Sequence, residues 1–549
     1  MTKLLRLFVA QSFCFGAVLI LPAPVAVEAE RDEHAGHSLG NIKFPITCSA
    51  EAQTEFTHAV LLLHHMTYPE ARAAFREVMK TDPQCAMAHW GFAMTLFQPL
   101  WPTRPSPAAL QEGWEAIEKA KALTPPTKRE QMLIAAAEAF FLEPQSSDYW
   151  LRIRRWEAAM EKAYAAFPND DEVAAFYALA HLATAPASTI SRAHSDRAAE
   201  ILLRVYERNP DHPGAMHYLV HANDAPGRER ESLEITRRYE TLAPHNPHAL
   251  HMPTHIYTRL GDWDGVIRGN LKAAEAALDF PAGENKEYVW DEFAHAIEYL
   301  LYADLQKGDD EAAAAQLNRL HSTAHLEPSF KTAFHLSSTR ARYALERRAW
   351  EEAAAIAPRE PAWLPWNRFP WPEAVTHFAR GLGAAHVGKF EDANAAGQRL
   401  VELEGAMEKA GEELFTRNIR VLRLELTSWV AHAKGDTAAS IALMREAADL
   451  ESSTPKAPVT PAPTLPAHEL LGDLLLEEKE PAEALAAYRR ALELYPRRFN
   501  ALLGSARAAR ALSDKTSARV SYTELLEVAS AGNRELPLAE ARKFLASAE

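Results

Sequence analysis

Apolar and polar positions along this chain recur with the period of an α-helix almost from end to end. In LLGDLLLEEKEPAEALAAYRRALELYP (470–496), Ala484, Tyr488 and Ala491 stand four and three residues apart. That spacing gathers them on one stripe of a helix and leaves the charged residues on the other. Strand signals are scarce, while Ala, Leu, Glu and Arg at helical spacing run through the sequence, so the pattern predicts an all-α protein.

The pattern also repeats. Ala518 and Tyr522 follow Ala484 and Tyr488 by 34 residues each. Leu471-Gly472 and Pro496 complete a tetratricopeptide-like unit, in which small residues let two helices approach, an aromatic ring fills the gap and proline ends the second helix. Near the other end, YPEARAAFREVMKTDP supplies Ala71, Phe75 and Pro83 at the same offsets. The expected fold is an α-solenoid of tetratricopeptide-like helix-turn-helix repeats, with roughly 10 to 12 helix pairs from about Cys48 to the end.

Two stretches interrupt the rhythm. PREPAWLPWNRFPWP (358–372) is too rich in Pro and Trp for a helix interior, and 452–466 reads as extended, polyproline-like chain. The expected organisation is therefore a central solenoid over 48–451 with an insertion at 358–372, a Pro-rich linker over 452–466, and C-terminal repeats over 467–549. Both interruptions read as connecting loops, or as segments crossing the concave face and narrowing a channel, with Trp363, Trp366 and Trp371 as its walls.

The repeat gives the histidines their interest. His251 stands 34 residues after His217, and His255 stands 34 after His221. Two HisxxxHis pairs thus occupy equivalent places in neighbouring repeats, and residues four apart share a helix face. First helices of adjacent repeats stack at about 8 to 10 Å between axes, so the four imidazoles are expected in one patch. His248, His251 and His255 are expected on one helical face. His295 joins the set from the next unit, and His248, Glu298, Asp224 and Tyr257 are second choices as groove or ligand residues. Imidazole is the commonest metal donor, and such a set suits zinc, copper or nickel. The competing expectations are a histidine-lined groove for a peptide, protein or small molecule, and packing alone. Met216 and Met252 are expected to pack between helices. His58, His64 and His65 are expected in the core or groove, and His34 and His37 in a solvated tail. His321, His325, His335, His377 and His386 share no period and receive no role.

Composition narrows the class. The chain has 549 residues, 48% hydrophobic and 24% charged, with a formal net charge of −15 and no basic run, which excludes nucleic acid and anionic membrane surfaces as natural partners. GxSxG, HExxH, phosphate-cradling loops and dinucleotide fingerprints are all missing, so the reading leans away from an enzyme. A metal-dependent hydrolase, with Glu298 or Asp224 as base, is the alternative to a binding scaffold.

The first residues place Lys3 and Arg6 ahead of an apolar stretch and a small-residue site ending at Ala29. This is the grammar of a secretory leader over 1–29, followed by a flexible lead-in over 30–47. No later run is long enough to span a bilayer. A periplasmic or secreted protein is expected, and in that compartment the remaining pair Cys48 and Cys85 is expected to form a disulfide.

Several stretches, among them FTHAVLLLHHMTYPEARAAF, HPGAMHYLVHA and HMPTHIYTRLGDW, resemble a family of exported bacterial tetratricopeptide proteins of unsettled activity. The resemblance covers nearly all of the chain after the leader. It implies that His217 and His251 (fifth place), His221 and His255 (ninth) and His248 (second) line the concave ligand-binding groove. It also implies two histidines where this chain has His295 and Glu298.

Overall fold

The computed structural model describes residues 38–283 and 285–547. The leader expected over 1–29, and His34 and His37, lie outside the described residues. From Ala50–His64 to Glu535–Ser547 the chain is a succession of α-helices. Among the described residues no strand forms beyond isolated bridges of Ala282 with Tyr288 and Val289 with Leu326. The architecture is the α-solenoid of helix-turn-helix repeats that the 34-residue spacing predicts.

Small residues on one helix against an aromatic ring on the next hold each pair together. A Cβ added to Gly504 would lie 2.2 Å from the Tyr488 ring, and one on Gly472 would lie 2.7 Å from it. At the other end, a Cβ on Gly91 would lie 2.1 Å from Phe75. Tyr488, Tyr522 and Phe75 are fully buried by this contact. Side-chain caps set many helix starts: Ser49 accepts from the Ala52 amide, Asp170 from Glu172 and Val173, and Asp514 from Ser517.

The lead-in, expected to be flexible, is packed over its described part. Leu39, Ile42 and Phe44 are buried, with the Phe44 ring 5.1 Å from Phe56 and 5.5 Å from Trp90. Cys48 and Cys85 are joined by a disulfide with Cα atoms 5.1 Å apart. It fastens the end of the lead-in to the start of the helix Ala86–Met94.

The two interruptions part company. Trp363 is 53% exposed, while Trp366 and Trp371 are buried. Trp366 packs with Leu364 and Phe369. Trp371 stacks on Phe334 at 4.4 Å and on Phe415 at 4.9 Å. These three tryptophans therefore do not act together as channel walls: Trp363 faces outward, Trp366 packs into the core beside its loop, and Trp371 alone borders the small cavity beneath the Pro-rich linker. Residues 454–466 instead run through the interior. The fully buried Arg342 donates to the carbonyls of Ala462 and Pro463 and to the Thr460 hydroxyl. Tyr299 donates to the Thr460 carbonyl at 3.3 Å.

Beyond this strap the C-terminal repeats come back onto the middle of the array. The Trp263 indole donates to the Arg497 carbonyl at 3.1 Å, and the Asn533 amide to the Gly308 carbonyl at 2.9 Å. The buried Arg498 joins Glu346, Glu469 and Tyr302. As a result all residues of the helix Asp291–Gln306 are buried, and the face expected to be an open groove is covered.

Candidate metal centre

Five helices bring the histidines together. Pro213–Asn223 carries His217 and His221, Pro247–His251 carries His248 and His251, and Pro253–Leu260 carries His255. Asp291–Gln306 carries His295 and Glu298, and Phe330–Glu346 carries His335. The run expected to be one helical face breaks at Met252, because Pro253 has no amide hydrogen to donate to the Ala249 carbonyl. Pro253 starts a new helix, and the His255 amide bonds to Met252 instead.

The histidines divide differently from the repeat, and not at that break, since His248 and His251 share the helix before it. The four expected histidines come together, the His221 and His255 rings 6.2 Å apart, within two adjoining triads. Ligand atoms of His217, His221 and His248 lie within 4.8 Å of one another, and so do those of His251, His255 and His295. His248 and His295, rather than the partner pair one repeat away, complete each triad. The triads adjoin: the His248 and His251 rings are 6.2 Å apart, as are those of His221 and His255. Five of the six histidines are at most 3% exposed, and His221 is half-buried.

Hydrogen bonds fix the proton on five of the six rings. Nδ1 of His217 is 2.6 Å from the His64 carbonyl, which can only accept, so Nδ1 carries the proton and Nε2 keeps its lone pair. His248 donates through Nδ1 to Glu292 at 3.1 Å and His255 through Nδ1 to Asp224 at 2.8 Å. His251 donates through Nδ1 to the Asn270 amide oxygen at 2.6 Å, an orientation set by the Asn270 nitrogen donating to the Val266 carbonyl. His335 donates to Glu298, so its Nε2 accepts from Nδ1 of His295 at 3.2 Å. In each case the lone pair is left on Nε2. Yet Nε2 of His217 and His248 are 3.2 Å apart and those of His251 and His255 are 2.9 Å apart. Nε2 of His221 is buried with no hydrogen-bond partner. Two facing lone pairs repel unless a cation stands between or beside them. Between His251 and His255, protonation does not supply one at neutral pH. Burial, reinforced by neighbouring imidazoles, holds His217, His221, His251 and His295 well below the usual imidazole range, and burial takes His255 down to about 4.

A third set, His64, Glu172 and His212, meets the same distance test, but its bonding differs. His212 Nδ1 accepts from the Ala215 amide, so its proton sits on Nε2, which faces Glu172 at 3.2 Å. His64 lies between the Tyr218 hydroxyl and Glu172, at 3.0 and 2.8 Å. His64 bonds to the carboxylate while His212 Nε2 lies near it outside hydrogen-bond geometry, so a carboxylate rather than a third imidazole lone pair sits between these two rings.

The remaining expected residues fall outside the triads. Glu298 is taken up by His335, Ser338 and Arg342. Asp224 is taken up by His255, Arg259 and Lys456. Although burial alone would raise both carboxylates, the His335 bond and Arg342 hold Glu298 low, and Lys456 and Arg259 hold Asp224 well below its ordinary value. Both are anchors for rings and neither is placed as a general base. Tyr257 lies two residues beyond His255, turned to the other side of its helix, where it donates to Glu240 at 2.9 Å. Met216 and Met252 are fully buried in the core. Sequence reasoning missed Asn270, Glu292 and His335. None has a repeat partner, and only the stacking of helices brings them to the rings.

The repeat architecture is that of a tetratricopeptide-type helical solenoid. One repeat, residues 466–498, matches the tetratricopeptide repeat family model. No curated protein matches the sequence. Among solved structures, the human IFIT1 dimer with PPP-AAAA is similar over 86% of this chain and 90% of its own, at 14% identity and a TM-score of 0.38. The APC/C hetero-tetramer Cut9–Hcn1 is similar over 90% of this chain and 89% of its own, at 14% identity and a TM-score of 0.34.

Proposed function

We propose that this chain is an exported tetratricopeptide-type scaffold that holds a transition metal in its interior through His217, His221, His248, His251, His255 and His295. The observation that carries the reading is the convergence of Nε2 lone pairs whose Nδ1 protons are committed elsewhere. Anchoring of the far ring nitrogen is how metal-binding imidazoles are held in place. A purely structural role would pair donors with acceptors, as His64 does between the Tyr218 hydroxyl and Glu172. The ligand-groove reading is less well supported, because the strap and the C-terminal repeats cover the histidines and a peptide would have to displace both. Partner proteins would meet the outer faces of the repeats. Export is supported by the leader sequence and by the Cys48–Cys85 disulfide, which suits an oxidising compartment.

Elemental analysis of the purified full chain, after mild reconstitution and gel filtration, tests the metal. Stoichiometric zinc, copper or nickel is expected in the wild type, with a reduced content in His217→Ala and in His251→Ala. Wild type without stoichiometric metal would end the reading.

A further inference from the structure

Resting on that metal reading, we infer that the two triads act together as a dinuclear copper centre that takes up dioxygen between its ions. Each triad offers three neutral nitrogen donors and no carboxylate, since Asp224, Glu292 and Glu298 are spent on anchoring. Two-metal hydrolytic sites clamp their ions about 3.5–4 Å apart and activate water between them. Here the carboxylates that would help with that chemistry face away from the Nε2 atoms. Imidazole sets suit copper, and Cu(I) is satisfied by three such donors, whereas zinc on three adds a water.

Charge argues the same way. Around the triads, Asp224 pairs with Arg259 and Lys456, Asp291 and Glu292 with Lys331, and Glu298 with Arg342. Four acids and four bases cancel, so any ion adds uncompensated charge to a buried site, which is costly. Two Cu(I) ions add half the charge of two divalent ions.

Adjacency makes the two triads one site. His248 of one triad and His251 of the other are neighbours in a five-residue helix, and the Trp101 ring contacts His248 at 5.2 Å and His295 at 5.9 Å. With the His221 and His255 rings 6.2 Å apart, no layer of protein separates the triads. A ligand that reaches so buried a site has to be small and apolar, which dioxygen is. In the uptake step each Cu(I) gives one electron to O2. The O–O double bond becomes the single bond of a peroxide dianion held between two Cu(II) ions, and no proton moves. The net charge of the loaded centre is the same before and after, so the buried site needs no rearrangement of its ion pairs.

The test loads the full chain with Cu(I) under anaerobic conditions, counts copper by elemental analysis, then admits O2. Uptake is read with an oxygen electrode and coupling by electron paramagnetic resonance. Two copper ions per chain are expected, one O2 consumed per pair, and no Cu(II) signal, because the two unpaired electrons couple. His221→Gln, at the half-buried position, and His251→Gln are each expected to keep about one copper and to lose O2 uptake to background. Two bound coppers with no uptake, or with two independent Cu(II) signals, would overturn the pair and leave the metal reading standing. Uptake surviving in His221→Gln would do the same. Failure to retain copper or any other transition metal would remove both.

Discussion

Asn270 shows how much a single side chain can settle. It is fully buried, its nitrogen is held by the Val266 carbonyl, and its oxygen takes the His251 proton. Asn270→Ala removes the anchor without touching a ligand. The expected result is a loss of about 10- to 100-fold in metal affinity for the His251, His255 and His295 triad, measured by competition with a chelator of known strength, with the other triad unchanged. His386 tests burial away from the centre. Its ring lies 3.7 Å from Trp350 and 4.3 Å from Trp429. Burial, helped by the Arg348 charge, pushes it down to about 3, against about 6.5 in an unfolded chain. Between those values the unfolded state takes a proton that the folded state refuses. The stability is therefore complete above about 6.5 and is lost progressively as pH falls toward about 3. Urea titrations at pH 7 and pH 5 are expected to show a larger drop for wild type than for His386→Phe, by up to about 2 kcal/mol.

Among the elements, the helix pairs were the most legible part. Ala71 and Phe75, Ala484 and Tyr488, and Ala518 and Tyr522 are all buried where the 34-residue pattern puts them, because the same contact recurs wherever the same spacing does. Gly504→Ala is expected to cost about 1–3 kcal/mol through overpacking, since its Cβ would meet the Tyr488 ring at 2.2 Å. Gly405→Ala is the control. It sits within the helix Phe390–Lys409 with nothing near its Cβ, and is expected to stabilise by about 0.5–1 kcal/mol through helix propensity. Denaturation midpoints at constant slope read both. Legibility failed at Met252–Pro253. Spacing counts residues along an unbroken helix, but the proline starts a second one between His251 and His255, while His248 and His251, on the one helix before it, go to different triads.

At the scale of the molecule, the Pro-rich stretch binds the array together. Arg342 ties Glu298 on one side to Thr460, Ala462 and Pro463 on the other. Arg342→Met strands the buried Glu298 and frees the strap, which is expected to cost about 3–5 kcal/mol. Limited proteolysis should then cut within 454–466, where wild type resists. The sequence by itself determined the helices, the repeat, the equivalence of the two HisxxxHis pairs and the class of donor, because these depend on periods of four and 34 residues that a linear reading can count. Only the tertiary structure decided that those histidines divide into two triads completed by His248 and His295. It also placed Asn270, Glu292 and His335 behind them and drew the strap and the C-terminal repeats over the face. The physical reason is that stacking angles and contacts more than a hundred residues apart set which lone pairs converge, and neither leaves a period in the sequence.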